Sequence, residues 1–503
     1  MKILNSVMVN RPNKNNFDLS YESKFSCKGG DIIPCYQEMV IPGDSFKVNS
    51  EIFVRFAPML APIMHRVDAK LDFFFVPNRL LWDEWEDFIT GGDTGTELPS
   101  FPRYRLDATV VTKLTKGSLA DYMGIPPQTT NNISNEFSAL PFRAYGLIWN
   151  EYYRDQNIQT ELTVPKTSGI QSANYDLLDL QKRNWEKDYF TSLLPWPQKG
   201  TEVEIPLNIT ENSITYKNPA TVSTVVSTGN ITHNASAEVQ VEGSDSVIKN
   251  IESIDATEVT INELRRATKL QRWLERAART GSRYIEQIYS HFGVRSSDAR
   301  LQRPEYLGGG KVPVQVSEVL STYSTTGDTP QGDMTGHAIS VGDYMGFTRG
   351  FEEHGIILGL LTILPRTSYY KGLSRHWTKF DKFDYYWPDF ANLGEQEVLS
   401  QELYFTSAYT DNQQTLGYQQ RYAEYKYPNY GMNVAGDFRD TLDFWHLAQD
   451  YTTRPTLNTA FLESEIDDRI FAVQDGTDYL WIQMYHKVNA LRPIPLFSIP
   501  ELG

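Results

Sequence analysis

The sequence predicts a mainly β, ordered chain with long excursions between its strands, and three observations carry that reading. Strand-like alternation of apolar and polar residues occurs near both ends. An aromatic surplus of 29 Tyr, 25 Phe and 10 Trp supplies large contact surfaces. At 503 residues the chain is also far longer than one ordinary domain, so it holds two or three domains or one domain with long insertions. A hydrophobic fraction of 40% and a charged fraction of 22% exclude a disordered, collagenous or long coiled-coil protein.

Ser45 to Phe56 alternates cleanly through Phe46, Val48, Ile52, Val54 and Phe56, with an interruption near Ser50 that reads as a bulge. The turn signal Ile41-Pro42-Gly43-Asp44 precedes it. Leu71 to Val76 is a nearly continuous apolar strand stopped by Pro77, since proline cannot donate to a ladder. Asp83 to Phe88 then reads as a short helix ending before Gly91-Gly92. Phe142 to Asn157 changes to a helical period, with Pro141 in the first turn, where a missing donor costs little. Residues 201–260 differ from everything around them: they are rich in Thr, Ser, Asn and Val, and Tyr216 is their only aromatic. They read as a β-rich surface insertion between an N-terminal part, 1–200, and a C-terminal part, 261–503. Ile261 to Ser290 is the clearest helix, with Thr260 and Glu263 matching a capping box. Gly308-Gly309-Gly310 marks a hinge or a close backbone approach, and Ile356 to Leu364 is an apolar strand closed by Pro365.

The formal charge of −16 argues against a chain that coats nucleic acid over its whole surface. Any such contact must be a local patch, and one basic stretch stands out. From Ile261 to Arg303 there are ten Lys or Arg against four Asp or Glu, a balance of +6 that leaves −22 on the rest. Within it Arg265, Lys269, Arg272, Arg276, Arg279 and Arg283 recur at helical spacing. Arg forks suit carboxylate and phosphate alike, so this stripe can serve as a solvated face, a subunit contact or a DNA contact. Cys27 and Cys35 are the only cysteines, too few for a disulfide scaffold or a four-cysteine zinc site, and read as buried thiols. MKILNSVMVN turns polar at Asn5, too early for a signal peptide, and the longest apolar run, Gly355 to Leu364, is too short to span a bilayer.

Signatures of catalysis are sparse. The chain has no His-Glu-x-x-His, no Gly-x-Ser-x-Gly and no phosphate-binding loop. Glu352-Glu353-His354 with Asp343 puts acid and imidazole together, but neighbours on a strand face opposite ways, so a structural cluster is favoured over a metal or acid–base site. His65 and His376 read as packing residues. Trp82-Asp83-Glu84-Trp85-Glu86-Asp87 and Tyr386-Trp387-Pro388-Asp389 interleave aromatics with acids, as a carbohydrate-active enzyme or glycan-binding module does; this is the alternative reading, with Asp83 and Asp389 as its carboxylates. No catalytic, cofactor-binding or metal-ligating residue is assigned.

Long ordered stretches carry a resemblance. They include MVIPGDSFKVNSEIFVRFAPMLAPIMHRVDAKLDFFFVPNRLLWDEWEDFITGG at 39–92, DYFTSLLPWPQKG at 188–200, SHFGVRSSDARLQRPEYLGGG at 290–310, HWTKFDKFDYYWPDFANLGEQEVL at 376–399 and DFWHLAQDY at 443–451. In order and spacing the chain resembles the major capsid protein of the Microviridae, small single-stranded DNA phages, in their gokushovirus-like branch. The resemblance implies an eight-stranded viral jelly roll with long inter-strand insertions containing helices. It further implies sixty copies in a T=1 icosahedral shell around a circular single-stranded DNA genome. The partners implied are the phage's small basic DNA-binding protein, scaffolding protein and DNA pilot protein, and a host cell-surface receptor met by the 201–260 insertion at the threefold axes. The place implied is the virion, assembled in the bacterial host cytoplasm without membrane insertion or a cofactor.

Overall fold

The computed structural model describes residues 12–201, 203, 215–218, 221–224, 231–233, 239–241, 261–320, 334–427, 434–472 and 476–497. The chain forms two compact units, one of Met1–Pro197 with Gly281–Gly503 and one of Gln198–Thr280. Among the described residues its two main sheets are formed by ten strands: β1 (Asn15–Asp18), β2 (Tyr21–Cys27), β3 (Ile33–Val40), β4 (Ser45–Phe56), β5 (Val67–Pro77), β6 (Glu305–Pro313), β7 (Gln315–Leu320), β8 (Met334–Gly350), β9 (Gly355–Pro365) and β10 (Leu480–Arg492). One antiparallel sheet runs β1-β10-β4-β8-β7, with β2 also on β10, and a second runs β6-β5-β9-β3. The strands β3, β4 and β5 pass from one sheet to the other and back, so both sheets contribute to one core.

The six-stranded sheet has one wet face, and β4 and β10 alternate buried and exposed residues as such a sheet requires. Phe46, Val48, Ile52, Val54 and Phe56 of β4 meet Leu71, Phe73 and Phe75 of β5 in the shared core. The four-stranded sheet is different, because both faces of its two central strands are covered. All eleven residues of β9 are buried, and all of β5 except Lys70. Phe74 and Val76 of β5, with Ile356, Leu358 and Leu360 of β9, face a second core formed by Trp82, Tyr104, Leu140, Phe142 and Tyr145. This explains why β5 and β9 read as continuous apolar runs. Asp72, buried within β5, is paired with Lys70 at 3.1 Å and Arg183 at 3.6 Å and accepts from Tyr153 and Tyr306 hydroxyls at 3.2 and 3.3 Å.

The covering layer centres on α1 (Leu140–Ile148), which continues as a π turn over Trp149–Tyr153 and therefore ends earlier than its periodicity predicts. Its Arg143 is fully buried and donates to the carbonyls of Leu81 at 2.9 Å and Thr167 at 2.8 Å; burial pulls its pKa down to about 10. The predicted Asp83–Phe88 helix lies at Trp85–Thr90, closed by Gly91 in the left-handed region.

Ser50 makes no bulge in β4. Its side chain points into the core and is satisfied there, while the irregularity lies opposite, between Gly342 and Met345 of β8. The triple glycine is no hinge: it lies inside β6, where a Cβ on Gly309 would sit 2.1 Å from the Leu71 carbonyl oxygen. Cys27 and Cys35 are free and buried.

The smaller unit holds two short hairpins, Thr215–Asn218 with Thr221–Thr224 and Ile231–His233 with Val239–Val241, and the helix α2 (Ile261–Thr280). Thr260 and most of 201–260 lie outside the described residues, so the capping box does too. The helical stretch predicted from Ile261 to Ser290 is two helices, because Gly281 adopts φ +98° and a new helix, α3 (Tyr284–Phe292), starts after Arg283.

The core also holds a histidine in its neutral form. His486 of β10 shares a 2.7 Å hydrogen bond with Ser50 through Nδ1 and packs against Tyr21 and Tyr36 at 5.1 and 5.2 Å between ring centres. Burial lowers its pKa from 6.5 to about 4. The unfolded ring takes up a proton first, so the stability this neutral ring contributes is complete above pH 6.5 and is lost as pH falls from 6.5 to about 4, by ~3 kcal/mol in all. Urea unfolding at both pH values checks this: the natural chain is expected to lose ~3 kcal/mol more than a His486→Gln variant over that window.

Candidate assembly surface

A third core lies under the C-terminal loops, where Tyr189, Phe190, Leu193, Tyr369, Val398, Leu403, Leu416 and Phe461 pack together. Two carboxylates are buried beside it. Glu402 accepts from Tyr189 Oη at 2.8 Å and from the Leu399 amide at 3.2 Å, with Arg375 3.6 Å away. Glu424 accepts from Gln396 Nε2 at 2.8 Å and Lys379 Nζ at 3.0 Å, and the Lys379 and Glu424 side chains are only 4% and 2% exposed. Burial raises the Glu402 pKa, and Arg375 offsets this in part. At Glu424 burial pushes upward too, but the hydrogen bonds from Gln396 and Lys379 outweigh it and the carboxyl stays below its usual range.

These pairs fix an aromatic loop. Lys379 lies 3.9 Å from the Tyr425 ring centre and 5.8 Å from that of Tyr385. Asp384 accepts from the Phe380 and Asp381 amides at 2.9 and 2.8 Å, and these bonds hold its pKa low. Trp387 Nε1 donates to the Lys382 carbonyl at 2.9 Å, and the Trp387 amide donates to Tyr422 Oη at 3.2 Å. The loop also leaves its rings in solvent. Trp377 is 74% exposed, Phe380 88% and Tyr409, on a neighbouring turn, 74%; Tyr385, Tyr386, Trp387 and Phe405 are also exposed. An exposed aromatic patch of this kind is a candidate interaction surface. Of this patch, Tyr385 to Pro388 stand out in the sequence, whereas Trp377, Phe380 and the Lys379–Glu424 pair were missed there; the run HWTKFDKFDYYWPDF carried the signal for the rings, and nothing in one sequence pairs Lys379 with Glu424.

The basic stripe is divided by the break after Thr280. Arg265, Lys269, Arg272 and Arg276 are exposed on α2, and none of the four has an ion-pair partner among the described residues. Arg279 is exposed on the same helix. Arg283 instead packs within the larger unit, where it donates to the carbonyls of Asn150 at 2.6 Å and Arg154 at 3.0 Å and pairs with Glu286 at 3.3 Å.

Other candidates are absorbed by packing. Glu353 holds Arg79 through two bonds of 2.6 and 3.1 Å, while His354 packs against Trp85 at 5.7 Å; the Asp343 side chain lies outside the described residues. Trp82 is a core residue and not a stacking platform, fully buried with Nε1 donating to Ser168 at 2.7 Å. His65 Nε2 bonds the Arg366 carbonyl oxygen at 2.6 Å, and His376 packs edge-on against Tyr425. No group of three or more metal-ligating side chains occurs among the described residues, and none of their helices is long and apolar enough to cross a membrane.

Removing Lys379 strands Glu424 as a buried, unpaired charge, at a cost of about 3–5 kcal/mol. Lys379→Met is therefore expected to loosen residues 375–390, read as faster hydrogen exchange and proteolysis of that segment, and Lys379→Met combined with Glu424→Gln is expected to recover most of the protection.

Residues 5–502 match the family described as Capsid protein (F protein). Among curated proteins the chain is 35% identical to capsid protein VP1 of Chlamydia phage 1, over 97% of this chain and 96% of that one, and 36% identical to capsid protein VP1 of Bdellovibrio phage phiMH2K, over 97% and 95%. Capsid protein VP1 of Spiroplasma virus 4 is 30% identical over 94% and 92%. The chain thus belongs to the phage F capsid protein family, in the gokushovirus-like branch of the Microviridae, and its role is that of a structural component of the virion and not of an enzyme.

Proposed function

We propose that this chain is the major capsid subunit that closes, in sixty copies, into a T=1 icosahedral shell around a circular single-stranded DNA genome. The observation that carries the reading is the exposed aromatic surface around Trp377, Phe380 and Tyr409, in a chain whose relatives over nearly the full length are capsid proteins. Aromatic side chains of this kind are enriched at the cores of protein interfaces. The eight-stranded jelly roll is the sandwich we infer: setting aside β1 and β2 at the β10 edge leaves β10-β4-β8-β7 facing β6-β5-β9-β3, four strands in each sheet. The 201–260 insertion is proposed as the protrusion that meets a host receptor. The shell is proposed to assemble in the bacterial cytoplasm with the phage's scaffolding, small basic DNA-binding and DNA pilot proteins.

The mass and shape of the purified chain, by light scattering with negative-stain microscopy, decide the matter. Uniform closed particles of megadalton mass holding nuclease-resistant single-stranded DNA are expected. A chain that stays small even when co-expressed with its phage's scaffolding protein overturns the reading.

The exposed cations of α2 are proposed to serve the same assembly by meeting DNA phosphates. Changing Arg265, Lys269, Arg272 and Arg276 together to Gln is expected to lower the DNA content of the particles and leave their number unchanged. Loss of particles instead assigns the stripe to a subunit contact.

A further inference from the structure

A cavity of about 670 Å³ opens beside the aromatic loop, and its lining includes Trp377, Phe380, Phe405 and Tyr409. Its charges balance, with Arg375, Lys379 and Arg421 against Asp384, Glu402 and Glu424. The site therefore suits a ligand that is apolar and uncharged. A phosphate backbone is a poor match, because it would enter a cavity that already holds three carboxylates.

The chain carries a segment of that chemistry. After β10 it continues as Pro493-Ile494-Pro495-Leu496-Phe497, which has no charge and whose prolines contribute carbonyls without N–H groups. Ile494, Leu496 and Phe497 are exposed, Phe497 to 74%. The segment leaves the six-stranded sheet at its β1 edge, where Asn15 Nδ2 donates to the Ile494 carbonyl at 2.8 Å, and none of its residues lines the cavity of its own chain. Proline-punctuated apolar peptides dock in aromatic-lined grooves because their backbone is already restricted and little entropy is lost on binding.

We propose that residues 493–497 of one copy dock in the cavity lined by Trp377, Phe380, Phe405 and Tyr409 of a second copy, linking neighbouring subunits by an exchanged C-terminal arm. This rests on the capsid reading and specifies one of its contacts.

Two chains, one carrying Tyr409→Cys and the other Phe497→Cys, are co-expressed and oxidised; both positions are exposed, and the natural Cys27 and Cys35 are buried. A disulfide-linked dimer from the mixture, and not from either variant alone, is expected. Particles that form without that dimer overturn the docking and leave the capsid reading standing. A link that forms within a single chain carrying both substitutions, with no dimer, also overturns it. If neither the variants nor the natural chain form particles even with the phage's scaffolding protein co-expressed, the capsid reading fails; whenever particles are absent, the docking is judged separately, by fluorescence anisotropy of a labelled peptide of residues 491–503 with the unassembled full chain. Saturable binding weakened at least tenfold by Trp377→Ala supports the docking, and absent binding, or binding unchanged by Trp377→Ala, overturns it.

Discussion

The larger unit depends on a sheet whose two central strands have no wet face. Because β5 and β9 are covered on both sides, every side chain along them must be apolar or internally paired, and the sequence obeys this down to Asp72, whose carboxylate is met by two cations and two tyrosine hydroxyls. The same condition makes the helical layer over Phe74, Val76, Ile356, Leu358 and Leu360 a requirement of the fold. Without Trp82, Tyr104 and Phe142 those five side chains would face water, each at a cost on the order of 2 kcal/mol. The insertions closest to the sandwich thus fold with it. Arg143 fits the same picture: one buried guanidinium ties the helix α1 to the Leu81 and Thr167 carbonyls, so the layer is fastened by directional bonds as well as by burial.

At the C-terminal loops the relation between charge and surface is reversed. A buried ion pair such as Lys379–Glu424 adds little net stability compared with an apolar pair of the same volume, because desolvation consumes most of the attraction. What it supplies is geometry. Lys379 can satisfy Glu424 only from one position, and from there it also lies against Tyr425 and Tyr385, so the backbone between Trp377 and Phe390 has few alternatives. Buried polarity therefore specifies where exposed aromatic rings stand.

How far the sequence alone discloses this differs by level. Strands with a two-residue period or a long apolar run, β4, β5 and β9, are legible because burial on one face or two leaves a direct imprint on residue order. Ser50 misleads because a polar residue inside a core looks like an interruption until its partner, His486, far away in the chain, is known. The helix break at Gly281 is hidden because the apolar and basic periods run on past it. Arg283 shares the spacing of the cations before it yet serves as a packing residue, since spacing records a helical phase and says nothing of which element the residue belongs to. Trp82 and Trp377 sit in equally aromatic, charged surroundings along the chain, one fully buried and the other mostly exposed. That difference is decided by tertiary contacts such as the one between Trp82 and Ser168.

Subunits with a formal charge of −16 repel one another, and a surface that joins them has to overcome that field. The aromatic loop is suited to this, because from Arg375 to Phe390 it holds three Lys or Arg and three Asp, no net charge. Asp384 and Asp381 spend their oxygens on the loop's own amides, and Lys379 is enclosed by Glu424. Outward stand the exposed rings, beside Lys382 and Asp389, whose charges cancel, and the attraction of that apolar area does not depend on the sign of the neighbour and is not screened by salt. Repulsion between exposed charges, by contrast, is confined to about 8 Å at physiological ionic strength. Contacts made through such a patch therefore strengthen relative to the repulsion as salt rises, and a chain acidic overall can associate with its own copies without a basic face to match every acidic one.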